Sequence, residues 1–241
     1  MKKIVISQSM FFPWVGLLEQ IRLADMYVYY DDVQFSKGSF VNRVQLKTVS
    51  GLNWLTVPLK GHRLGQNIED VTIAPIDSFR DRHLSQLHGA LHEAPFVDDA
   101  ISLVESVYQK DHSTIGSLAR ESLMAVVRYF GLEQTTEFID VAELGIPGSS
   151  SRRVYEIVSQ LGGTVYITGH GASRYLDHSL FDADGIDVRY MEYECRDYPQ
   201  LHGEFTPYVS SLDLIANCGP AGSEYICSGV TGWKEFVRGQ A

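Results

Sequence analysis

Hydrophobic positions along the chain change rhythm, and the changes predict its layout. Ile4 to Ile6 form a short apolar run that stops at a polar and aromatic loop, Ser7-Gln8-Ser9-Met10-Phe11-Phe12-Pro13-Trp14. From Gly16 to Ala24, residues Leu17, Leu18, Ile21 and Ala24 recur at helical spacing. Met26 to Tyr30 is a second strand-like run, ending on Asp31-Asp32. Strand, loop, helix and strand make the start of a βαβ unit, which favours a parallel sheet. Phe40 to Lys47 then alternates, with Arg43, Gln45 and Lys47 on one face and Val44 and Leu46 on the other. A turn at Thr48–Gly51 and an extended run from Trp54 to Leu59 suggest a hairpin, and Val71 to Ala74 a further short strand.

Between about 77 and 130 the period becomes helical, over Arg80–His92, Phe96–Gln109 and Ser113–Tyr129, punctuated by Pro95 and Gly131. Strands return at Thr136–Val141, Thr164–Thr168 and Ile186–Met191, with a helix at Ser149–Leu161 and short closing helices at Val209–Ala216 and Ala221–Ile226. The expected fold is a three-layer α/β domain over 1–241, with a mainly parallel sheet and a helical middle segment.

Composition narrows what such a fold can do. The chain has 241 residues, 44% of them hydrophobic, enough for one large core. Its net charge of −10 repels polyanions, so no extended nucleic acid is expected as a partner, although a few local cations would suffice for one diphosphate. The apolar run after Lys2-Lys3 is too short for a signal segment, and no stretch approaches the roughly 18 apolar residues of a spanning helix. With three unpaired-looking cysteines, Cys195, Cys218 and Cys227, the default is a reduced cytoplasmic protein without membrane insertion. A homo-oligomer is compatible with all of this. His88 and His92 stand four apart on a helix, but HGALH is not HExxH, so no metal is expected, and nothing calls for a cofactor.

Candidate chemistry gathers in turns that follow strands. Ser7, Gln8, Ser9 and Trp14 sit in the first loop, where ligands of open parallel sheets bind. Asp31 and Asp32 are adjacent carboxylates past a strand end, costly to place together without a compensating charge, with Gln34, Lys37, Asn42, Arg43 and Lys47 following. Gly169, His170, Gly171 and Tyr175 form a glycine-rich turn with a titratable imidazole. His202 lies in a turn-rich closing segment. The plainer alternatives are that Ser9 serves its turn, Asp32 caps one and His170 caps a strand end.

The runs ISQSMFFPWVGLLEQIRLAD, YDDVQFSKGSFVNRVQLKT and GLNWLTVPL, with SSSRRVYEIVSQLGGTVYITGHGASRYLDHSLFDADGIDVRYMEY and YPQLHGEFTPYVSSLDLIANCGP, resemble the WbqC-like protein family over nearly the whole chain. Ser7 stands where some relatives carry His, and Met10 where many carry Asn, so no histidine base can act in the opening loop. The resemblance implies a role in bacterial surface-polysaccharide (O-antigen) biosynthesis. The expected activity is a transferase that modifies a nucleotide-linked amino sugar, forming an amide with a glycyl or other acyl group. Such chemistry needs a base for the ammonium proton and donors for the oxyanion. Asp32 or His170 would supply the first, and Ser7, Gln8 and Asn42 the second, with Lys37, Arg43 and Lys47 on the diphosphate. The rival readings are an ATP- or nucleotide-binding enzyme of the nucleotidyltransferase-like class and a non-catalytic sugar-nucleotide-binding protein.

Overall fold

The computed structural model describes residues 1–239, and the elements follow the apolar runs closely. Lys3–Ser7 forms β1, Val15–Leu23 α1 and Met26–Tyr29 β2. The hairpin strands β3 (Arg43–Thr48) and β4 (Gly51–Thr56) pair antiparallel as a separate two-stranded sheet. Three helices then follow, α2 (Arg80–Leu91), α3 (Val97–Tyr108) and α4 (Ile115–Tyr129). The second half runs β5 (Glu137–Asp140), α5 (Ser150–Gln160), β6 (Val165–Thr168), α6 (His178–Ala183) and β7 (Asp187–Met191). It closes with α7 (Ser211–Cys218), β8 (Val230–Gly232) and α8 (Trp233–Gly239).

The main sheet has six strands in the order β5-β2-β1-β6-β7-β8, all parallel except β8. Because parallel strands need crossovers, both faces are covered, and the inner strands β1, β2 and β6 are buried on both sides. Alternation along each strand sorts its side chains between two cores. Val5, Tyr27, Val165 and Ile167 point into the layer of α1 to α4 and α7. Ile4, Ile6, Met26, Val28, Tyr166 and Val188 meet α5 and α6 on the other face. Ile157 of α5 is fully enclosed there, and truncating it to Ala would cost about 2–5 kcal/mol through lost burial and a residual cavity.

The chain leaves β1 for β2 and β5 on one side, then crosses to β6 on the other, so the order of strands reverses beside β1. In an open α/β sheet that reversal opens a crevice at the carboxyl ends of the strands. The opening loop beside it is tightly held. Phe12 adopts a left-handed φ of 37°, a conformation that costs a bulky residue about 1–3 kcal/mol. Its amide donates to Ser122 Oγ at 3.0 Å, and Ser210 Oγ donates to its carbonyl at 2.9 Å. The Trp14 ring lies where a Cβ on residue 16 would be, which restricts that position to Gly16.

Several elements differ from the sequence pattern: α6, β8 and α8 have no counterpart in it, and β4 begins at Gly51, inside the expected turn, and stops at Thr56. Val71–Ala74 makes no strand; Ile73 and Thr72 form only isolated bridges, with Leu59 and Thr114. The expected helix at Ala221–Ile226 is a 3-10 turn over Gly219–Tyr225, opened by a proline. No helix among the described residues is long and apolar enough to cross a membrane.

Candidate active site

At the carboxyl edge of the sheet, the puzzle of two adjacent carboxylates resolves into two separate ion pairs. The Asp31 side chain is fully buried, and the amide and hydroxyl of Ser9 donate to it at 2.8 and 2.6 Å. Arg120 of α4 adds its Nε at 2.6 Å and gives Nη1 to Asp140, at the end of β5. Burial tends to raise the Asp140 carboxyl, but the bonds from Arg120 and the Ala142 amide outweigh it and hold the group below the usual range. Arg120 is itself pushed up, burial notwithstanding, by these two carboxylates.

Asp32 turns the other way. Both its oxygens receive the guanidinium of Arg153, one from Nη1 at 2.9 Å, while Arg153 Nε donates to the Ile146 carbonyl at 2.9 Å. A bidentate pair of this kind fixes both partners in one plane. Arg153 also lies over the Tyr30 ring, 5.0 Å from its centre, and burial raises the Tyr30 phenol.

Each pair walls one cleft. The first, of about 420 Å³, is lined along one side of α4 by Ser117, Arg120, Glu121 and Met124, and opposite by Glu69 and His112. Gly116 lets α4 come this close, since a Cβ there would stand 3.0 Å from the Glu69 Cα. The second, of about 340 Å³, is formed by Asp32, Val141, Ala142, the stretch Gly145–Gly148 and Arg153. It opens at the amino end of α5, where Ser149 is the N-cap but its side chain makes no capping bond. The first-turn amides of that helix are therefore left without a side-chain acceptor.

The expected residues divide between this edge and other parts of the molecule. Ser7 ends β1 and Gln8 follows it, Asp31 and Asp32 follow β2, and Gly169, His170, Gly171 and Tyr175 follow β6, so all lie at the same ends of neighbouring strands. His170 is exposed yet oriented: its Nε2 donates to the Met191 carbonyl at 2.6 Å, and its ring packs against Tyr193 and Phe236. Because a carbonyl can only accept, this bond leaves Nδ1 with the free lone pair. Half-exposed Tyr175 has its phenol pushed up by burial and, to a lesser degree, by the neighbouring Tyr30.

The other nominees are engaged elsewhere. Lys47 is buried, with its ammonium donating to Gln200 Oε1, the Gly203 carbonyl and the Glu204 carbonyl, so none of its three N–H donors is left for a diphosphate. The guanidinium of Arg43 lies 4.0 Å over Trp54 on the hairpin, and Lys37 is exposed. Asn42 donates to the Val57 carbonyl at 3.2 Å, and Gln34 bridges to Asn67. Trp14 packs on Tyr193 and Tyr208, over a cavity of about 10 Å³, room for a single water. His202 donates to the Ala90 carbonyl at 2.7 Å. His88 and His92 are exposed on the α2 side, and among the described residues no three acidic, His or Cys side chains converge on a metal-sized site.

Arg120, Asp140, Arg153 and the 145–149 loop were not among the expected residues. A signal for Arg153 exists: it precedes Ile157 by four residues, placing a charge on the apolar stripe of α5.

These features define a doubly wound α/β protein with paired clefts at the carboxyl edge of its sheet, divided by two arginine–carboxylate pairs. The chain belongs to the WbqC-like protein family, whose model matches residues 8–225. It is also similar to the uncharacterized protein Rv1507c of Mycobacterium tuberculosis, 32% identical over 229 residues that cover 94% of this chain and 98% of that protein. No solved structure matches it.

Proposed function

We propose that this protein is a transferase that acylates the amine of a nucleotide-linked amino sugar, in the assembly of a bacterial surface polysaccharide. The observation that carries the reading is the α5 cleft: an uncapped helix amino end behind Gly145–Gly148, at the carboxyl edge of a parallel sheet, with Arg153 in its wall. Backbone amides at a helix start, reinforced by the helix dipole, are an anion site. A diphosphate suits it: the helix amides face it, and the second hydrogen on each Arg153 Nη, not taken by Asp32, remains as a donor in a chain whose net charge is −10.

Within this reading, Asp32 holds Arg153 in place rather than serving as the base, because both its oxygens already accept from that guanidinium. His170 takes the proton of the sugar ammonium through Nδ1, the nitrogen its bond to Met191 leaves open. The freed amine attacks the acyl carbonyl and the C–N bond forms; the carbon–sulfur or carbon–oxygen bond of the donor then breaks, and the proton that the new amide nitrogen sheds leaves with the departing thiolate or alkoxide. Gln8, which follows β1 at the same edge, offers an amide donor to the developing oxyanion.

The test is turnover. Purified protein would be incubated with UDP-glucosamine or another nucleotide-linked amino sugar and a glycyl or acetyl thioester, and the sugar nucleotide followed by mass. An N-acylated product that falls by two to four orders of magnitude in His170→Gln supports the reading. Absence of any acylated product across amino sugars with 2-, 3- and 4-amino groups contradicts it.

A further inference from the structure

The α4 cleft holds a second constellation that the sugar-nucleotide reading does not use. His112 Nε2 lies 3.2 Å from the Val107 carbonyl, which can only accept, so Nε2 carries the hydrogen. Nδ1 is then an acceptor, and Ser117 Oγ stands 2.8 Å from it, donating. This is the order of a nucleophile, a base and a group that orients the base. Burial lowers the His112 imidazole, which keeps it unprotonated and able to accept at neutral pH.

The surroundings suit an acyl group. Ser117 is exposed in the first turn of α4, and both it and His112 line the cleft of about 420 Å³. Arg120 stands three residues on, on the same helix face, and also lines it. Its Nε and Nη1 go to Asp31 and Asp140, which leaves Nη2 as a donor. Met124 adds an apolar wall one turn further along. The Ser117 amide goes to Thr114 Oγ1 at 3.3 Å, so the hydroxyl is not needed to cap the helix.

We propose that Ser117 is an acyl-accepting nucleophile and His112 its base, making the α4 cleft a site of covalent acyl transfer from an activated ester or thioester. Ser117 Oγ attacks the carbonyl carbon as its proton passes to His112 Nδ1, and Arg120 Nη2 stabilises the oxyanion. The carbon–sulfur or carbon–oxygen bond of the donor breaks, and His112 returns the proton to the departing thiolate or alkoxide. Water or an amine then attacks the acyl-serine. It gives up a proton through His112 to the Ser117 oxygen, yielding an acid or an amide and the free enzyme. The proposal goes beyond the nucleotide-sugar reading, and its test needs no sugar.

The experiment is labelling of the folded protein with a fluorophosphonate, followed by peptide mass mapping. One adduct is expected, on the peptide holding Ser117. It should be lost in Ser117→Ala, slowed about a hundredfold or more in His112→Gln, unchanged in Ser106→Ala and abolished in concentrated urea. Adducts absent from the folded wild type, placed on another residue, or persisting in urea would overturn the assignment. So would a folded His112→Gln that labels at the wild-type rate. Should His112→Gln fail to fold, the wild-type position and the urea control still decide. Failure here leaves the α5 cleft untouched, because the label reads acylation at α4 alone.

Discussion

Helices α4 and α5 both start at the carboxyl edge of the sheet and both bring an arginine to the Asp31-Asp32 pair, yet their amino ends are finished differently. In α4 the Thr114 hydroxyl accepts from the Ser117 amide, and Arg120 is drawn to a fully buried carboxylate. In α5 the Ser149 side chain makes no cap, a glycine-bounded loop precedes it, and Arg153 reaches a carboxylate that keeps partial access to solvent. One pair therefore chiefly anchors the fold, leaving only Arg120 Nη2 toward its cleft, and the other stands beside the proposed anion site. A charge pair near a cleft says little about function until burial and the state of the neighbouring helix end are known.

The comparison predicts opposite phenotypes for the two arginines. Arg120→Ala strands the Asp31 carboxylate in the core with only Ser9 for a partner, and should cost about 3–5 kcal/mol, read as a lower urea midpoint at unchanged slope. Arg153→Ala leaves Asp32 near solvent, and should cost about 1 kcal/mol while weakening UDP-glucosamine binding at least tenfold in calorimetry. If the two variants lose similar stability and neither loses affinity, the division of labour is wrong.

Acid should act on the same side as Arg120. His83, beneath the helical layer, donates from Nε2 to the Thr56 carbonyl and accepts the Tyr108 hydroxyl at Nδ1, and burial pushes its imidazole down to about 4. An unfolded chain takes up this proton near 6.5, so between that pH and about 4 it binds more protons than the folded one. Stability therefore falls as the pH drops through this window, by about 3 kcal/mol. His83→Phe, less stable at neutral pH, should lack this part of the slope in urea unfolding at a series of pH values. Below the usual carboxylate range Asp140 adds to the loss, since its group is held ionised by Arg120.

How much of this was legible depends on distance along the chain. Strands β1, β2, β6 and β7 are local apolar runs, buried on both faces, and declare themselves. The three residues of β8 carry no period, and Val71–Ala74 has a strand's composition but only single bridges to pair with. For the site, adjacent carboxylates call for a compensating cation, and along the chain the nearby candidates are Lys37 and Arg43. The cations that serve are 89 and 121 residues away, brought in by the sheet topology rather than by sequence proximity. Lys47 instead ties the hairpin to the closing segment through Gln200, Gly203 and Glu204.

A smaller effect separates the nearby cations from the distant ones. Lys37→Glu, at an exposed position, should change UDP-glucosamine affinity less than twofold at moderate salt and leave stability within about 0.5 kcal/mol. A tenfold loss would return the diphosphate to the hairpin side.

Whether the amino end of α5 is left open for a ligand anion can be decided by Ser149→Asp. An aspartate at this N-cap would accept from the first-turn amides itself and complement the helix dipole, taking the place of a phosphate. Stability and affinity should then move in opposite directions: stability rises by about 0.5 kcal/mol, a thermal midpoint shift of roughly 1–2 °C, while UDP-glucosamine affinity falls at least tenfold. A variant that gains stability and binds UDP-glucosamine as tightly as the wild type would contradict this.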